Sequence, residues 1–150
     1  MRWTITGALI LMLFSSDAAG RQRRSSPQIA FAVGQQWSYR TRPSESESRI
    51  LIQRLENDPK LGQIVHIRVL KVRFKTRDRE LSELRHMPYQ GKALRKDILK
   101  LEKTGLPVPA DYLEGYQSWR TAFDAGKAGI FTASVAEVIE GMERGIANGR

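Results

Sequence analysis

The chain has no cysteine. That excludes disulfides, thiol catalysis, cysteine-ligated zinc and a lipid-modified lipoprotein cysteine. Histidine occurs only at His66 and His86, too far apart for helical pairing, which makes a weak case for a metal. No serine sits in a nucleophile-elbow context. No glycine-rich phosphate loop is present, since Gly126 and Gly129 lack the required spacing and a following P-loop lysine. Aromatic residues are not interleaved with the basic runs, so the stacking platform of a single-strand nucleic-acid binder is missing. No cofactor is expected, and a binding or accessory role is favoured over an enzymatic one.

With 150 residues, 41% of them hydrophobic and 27% charged, the composition is that of one globular domain. About 130 residues would remain after loss of a leader, enough to bury roughly two-thirds of the unfolded surface without covalent staples. The formal charge is +9 and uneven: residues 68–103 hold twelve Lys/Arg against five Asp/Glu, whereas residues 104–150 hold four against six. Such a field attracts anionic partners without choosing among them.

Residues 1–20 have the form of a signal peptide: Arg2, an apolar run from Ile5 to Phe14, then Ser15, Ser16, Ala18, Ala19 and Gly20 as small residues around a cleavage point. The apolar run, about ten residues, is too short to span a bilayer as a helix. Arg21, Arg23 and Arg24 follow it and oppose translocation under the positive-inside tendency. The expectation is a periplasmic or secreted protein, with a cytoplasmic one as the alternative. Residues 21–33 are expected to be a polar linker, and residues 34–148 a single domain.

Residues 36–42 alternate, with Trp37, Tyr39 and Thr41 on one side, as a half-buried strand does. Residues 49–56 predict a second strand and residues 63–74 a third, separated by Asn57, Asp58, Pro59, Lys60 and Gly62, which are turn formers. Helical spacing follows. Leu94, Ile98 and Leu101 predict a helix over residues 90–103; Asp111 is a candidate N-cap for a helix carrying Tyr112, Tyr116, Trp119 and Phe123; Ser134 and Glu137 form a capping box for a third. The expected fold is α+β, a three- to four-stranded antiparallel β-meander followed by about three helices packed on one face.

Gly34, Gln35, Trp37, Tyr39, Thr41, Arg42 and Pro43, then Gly62, Ile64, Val65, His66 and Ile67, and later Glu114, Gly115, Tyr116 and Trp119 with the stretch from Phe123 to Phe131, form a pattern that resembles a family of small uncharacterised bacterial proteins. The likeness covers most of the expected domain and implies no activity.

Lys71, Arg73, Lys75, Arg77 and Arg79 recur at two-residue spacing. On an extended chain they project from one side as an anion-binding ladder; alternatively they protect an edge strand from aggregation. Lys92, Arg95, Lys96, Lys100 and Lys103 fit the solvated face of the first helix. Arg40, Arg42 and His66, all on polar strand faces, are the candidates for a discrete pocket that converges on a carboxylate or phosphate if the strand order brings them together; alternatively that face is simply solvated. Asp111 and Glu114 suit a helix first turn, and the aromatic stripe from Tyr112 to Phe123 suits a helix–sheet contact. The function expected from these patterns is an exported or envelope-associated accessory protein that binds an acidic macromolecule or protein through its basic strand. The alternatives are a cytosolic regulatory or immunity-type module and a hydrolase whose site would have to assemble around His66 or His86. Nucleic acid is disfavoured if the chain is exported.

Overall fold

The computed structural model describes residues 30–149; the expected signal segment and most of the expected linker lie outside them. Apolar alternation produces the strands. β1 (Gln36–Tyr39) turns Trp37 and Tyr39 inward. β2 (Arg49–Asp58) and β3 (Gly62–Lys75) are joined by a turn in which the Asp58 carboxylate accepts the Lys60 and Leu61 amides, each at 2.8 Å. β4 (Glu80–Gln90) completes an antiparallel meander. Helix α1 (Gly91–Asp97) then carries the chain to the opposite edge, where β5 (Ile98–Lys103) pairs antiparallel with β1. The strand order is β4-β3-β2-β1-β5. Two helices follow, α2 (Tyr112–Asp124) and α3 (Val135–Ala147), and the box of Ser134 and Glu137 caps α3 as its sequence predicts.

The α+β class and the antiparallel meander are as expected; the helices are arranged differently. They divide between the two faces of the sheet. One face carries Ile50, Ile52, Val65, Ile67, Val69, Met87 and Tyr89, covered by Leu94 of α1 and by Val135 and Ile139 of α3. His66, between Val65 and Ile67, must point the other way, and there it meets Tyr116 and Trp119 of α2. The helix predicted over residues 90–103 stops at Asp97. Leu94 and Ile98 are both buried, so their spacing serves a helix end followed by a strand. The stretch around His86, for which no strand is predicted from sequence, lies in β4; Pro88 is tolerated there because β4 is an edge strand. Phe31, inside the expected linker, belongs to the core, its ring 6.2 Å from that of Trp37. The chain leaves it through Gly34, whose φ is +82° and where a Cβ would stand 2.6 Å from the Leu106 carbonyl oxygen. No other residue fits that crossing.

Register shifts prepare the second face. Both neighbours of β3 gain one residue beside it, between Ile52 and Arg54 in β2 and between Leu84 and Met87 in β4. Such insertions re-aim side chains. Gln53, Arg54, Arg85 and His86 thereby join Arg68 and His66 in a polar layer that α2 covers.

Candidate functional site

The expected meeting of Arg40, Arg42 and His66 does not occur. β2 separates β1 from β3, and both arginines lie past the end of β1, where the chain has turned toward the α1–α3 face. The Arg42 guanidinium holds Glu45 at 2.9 Å and Glu143 of α3 at 2.7 Å. Those two carboxylates in turn accept the Arg73 amide at 2.7 Å and the Lys75 amide at 2.9 Å. β3 outruns β2 at this end, and Arg42, Glu45 and Glu143 seal its free edge. Despite burial, which opposes ionisation, the hydrogen bonds to Arg42 and the strand amides hold both carboxyls below their usual range.

The basic ladder is shorter than its spacing suggests. Lys71, Arg73 and Lys75 are exposed, alternating with buried Val72 and Phe74. Lys71 has a positive φ of 50°, where the register with β4 slips. β3 ends at Lys75, so Arg77 and Arg79 fall in the turn, and Arg77 donates to the Ile146 carbonyl at 3.2 Å. Lys71 and Arg73 face Glu47 at 3.3 Å and Glu80 at 3.1 Å. Surface pairs this exposed contribute little stability, but they dilute the field.

A different cationic group is concave. Arg40, Lys92 and Lys96 line a cleft of about 480 Å³ between α1 and the start of α3, with Thr132, Ser134 and Glu137 on its far wall. Lys92 and Lys96 are one helical turn apart, which places them on one side of α1. Arg40 caps the end of α1 by donating to the Lys96 carbonyl. Among the described residues, none of these three cations has a carboxylate within ion-pair distance. Glu137 is occupied by the Ser134 amide at 3.0 Å and hydroxyl at 2.7 Å. Asp97 also lines the cleft. Its Oδ2 accepts the Val135 amide at 2.8 Å, while Oδ1 has no hydrogen-bond partner. Burial pushes the Asp97 carboxyl up; the Val135 amide and Arg40 pull it partly back, and Glu137 adds to the rise.

Under α2, His66 Nδ1 and His86 Nε2 share one hydrogen bond at 2.9 Å, the rings stacked 5.1 Å apart. Tyr116 and Trp119 close over His66 edge-on at 5.2 and 4.9 Å. Glu56 lies 3.7 Å from His66 Nε2, its oxygens already taken by Tyr116, Arg54 and Arg120. Burial pushes both histidines down to about 4, and for His66 the neighbouring His86 adds to it. At neutral pH the pair is therefore uncharged, too weak a base to activate a nucleophile efficiently. The pair packs as a polar layer beneath α2. Asp111 sits at the N-cap position of α2, but its carboxylate binds Arg68 and Arg85 and not the helix amides. The aromatic stripe forms the helix–sheet contact as expected, with Tyr112 and Trp119 buried.

Of the residues expected from sequence to bind an anion (Arg40, Arg42, His66, Lys71, Arg73, Lys75 and Arg77), Arg40 alone lines the cleft. Lys92 and Lys96 fit a solvated face from sequence, where their four-residue spacing is visible but the approach of α3 that makes the surface concave is not. Asp97 gave no sequence signal at all. No cluster of three metal-ligating side chains occurs among the described residues, and no helix among them is long and apolar enough to cross a membrane. The chain matches no protein-family model, no curated protein and no solved structure.

Proposed function

We propose that this protein acts by binding an acidic partner, and that the α1–α3 cleft is the principal contact. The observation that carries this reading is the convergence of Arg40, Lys92 and Lys96 on one concavity, with no carboxylate among the described residues within ion-pair distance of any of them. Unpaired surface cations hold mobile counter-ions, and a polyanion that displaces them gains affinity that falls with salt. Lys71, Arg73 and Lys75, exposed but partly paired, form a second and weaker strip. An envelope setting suits such a role. It rests on residues 1–20 and is decided by N-terminal sequencing of the native protein.

The test is cosedimentation with vesicles containing phosphatidylglycerol and, separately, titration with polyglutamate, each at about 50 and 300 mM salt. Affinity for at least one probe is expected to drop at least about tenfold between the two salts. The triple variant Arg40→Gln, Lys92→Gln, Lys96→Gln removes most of the binding, and Lys71→Gln with Arg73→Gln and Lys75→Gln removes less. Failure to bind either probe at low salt, or equal loss from both triple variants, refutes the assignment to the cleft.

A further inference from the structure

β5 is an edge of the sheet, and among the described residues β1 alone pairs with it. Ile98 is buried, but every residue from Leu99 to Lys103 is exposed. Four large apolar side chains are exposed among the described residues, and two of them, Leu99 at 60% and Leu101 at 37%, stand on this six-residue strand. An edge that shows leucines to water and leaves one row of main-chain groups without a neighbour is a template for another extended chain.

The register sorts what an added strand would meet, because residues directly opposite share a face. Leu101 lies opposite Trp37 and Ile98 opposite Tyr39, so both belong to the face that α1 and α3 cover. Lys100 lies opposite Ser38 and Lys103 opposite Gln36, on the reverse face. Among the described residues neither lysine has a carboxylate within ion-pair distance. Glu102, the acid of this strand, is taken by Arg49 at 2.7 Å and by Gln36 at 3.3 Å. Lysines and the two register shifts between β5 and β1 also blunt an edge against indiscriminate pairing. A purely guarded edge has no use for exposed leucines, however, and lysines that turn away a basic strand attract an acidic one. The cationic cleft abuts the start of this edge: Asp97 in its wall is the residue before Ile98.

We propose that the acidic partner is a protein segment that adds to β5 as an additional strand. Its apolar side chains lie beside Leu101, its acidic ones beside Lys100 and Lys103, and a further acidic residue reaches the cleft cations Arg40, Lys92 and Lys96. This rests on the reading of the cleft as the anion site and names the kind of partner. Main-chain hydrogen bonds supply affinity whatever the sequence, and the alternation of acidic and apolar residues selects it.

Fluorescence anisotropy of the full chain with a labelled peptide of about eight residues, alternating glutamate and valine, tests this. That peptide is expected to bind at least about tenfold tighter than polyglutamate of equal charge. On binding it slows amide exchange across Ile98–Lys103 by a similar factor and leaves β4 unchanged. Leu99→Ser with Leu101→Ser brings it down to the level of polyglutamate. Lys100→Glu with Lys103→Glu weakens it and strengthens an alternating lysine–valine peptide. Equal binding of the glutamate–valine peptide and polyglutamate, with β5 amides unprotected and both lost in the Arg40, Lys92 and Lys96 triple variant, overturns this inference and leaves the anion cleft standing. Binding to phosphatidylglycerol vesicles but to no peptide does the same, with lipid as the partner. Amides of β5 already protected in the free chain, whether by a second copy or by the chain itself, also overturn it. Absence of binding to every probe overturns both readings.

Discussion

The two faces of the sheet are held by different physics. The α1–α3 face is aliphatic: Ile50, Ile52, Val65, Ile67, Val69, Val135 and Ile139 are all wholly excluded from water. The α2 face is held by a histidine pair, aromatic edges and ion pairs, with Arg68 binding Glu83 at 2.8 Å as well as Asp111. Apolar burial does not titrate and is strengthened by many salts. A layer of neutral histidines and charged anchors depends on its protons. One sheet thus carries a face whose aliphatic interior is indifferent to pH, with titrating carboxyls such as Glu45, Glu143 and Asp97 only around it, and a face whose packed layer is not.

Ways to break that contrast follow in order of size. Truncating the aliphatic face by Ile67→Ala is expected to cost about 2–5 kcal/mol, the same at pH 5 and pH 8 by urea denaturation; a cost that changes with pH would join the two faces into one unit. Acid strikes the other face. His66 and His86 are pushed down to about 4 from an ordinary 6.5, so between those values the unfolded chain binds more protons than the folded one. Their contribution is complete above pH 6.5 and is lost as pH falls toward 4, on the order of 3 kcal/mol for the coupled pair. Melting temperature followed across that window in the native chain and in His66→Leu checks it, since the variant is expected to show a clearly shallower decline. The smallest effect sharpens the geometry. A Cβ on Gly115 would stand 3.1 Å from His86 Cβ, so Gly115→Ala wedges α2 away from β4, at about 1–3 kcal/mol. Trp119 emission should shift to the red in that variant; an unchanged spectrum would mean that α2 has other anchors.

What could be read from sequence was whatever local pattern decides. Alternation gave β1 and β3, and a run rich in Ile and Leu gave β2; Ser134 with Glu137 marked the start of α3; and the aromatic spacing from Tyr112 placed α2. What escaped was settled by distant partners. Ile98 leaves a helical pattern because β1 offers an unpaired edge. Pro88 hides a strand whose position at the sheet edge makes its missing amide harmless. His66 and His86 meet because a register slip in β4 turns His86 toward β3, and no spacing along the chain encodes a slip. The same holds for the candidate site. Lys92 and Lys96 are visible as a pair, but the cleft exists only once α3 docks beside them.

The clamp formed by Arg42, Glu45 and Glu143 reaches beyond local packing. Glu143 belongs to the last helix, yet it occupies a main-chain donor of the third strand. The terminal segment thereby serves as a stopper on the sheet: with it in place, an incoming extended peptide finds no vacancy beside residues 73–75. Clipping that helix away would uncork a template for strand-by-strand growth, so the integrity of the final turns guards solubility as much as shape.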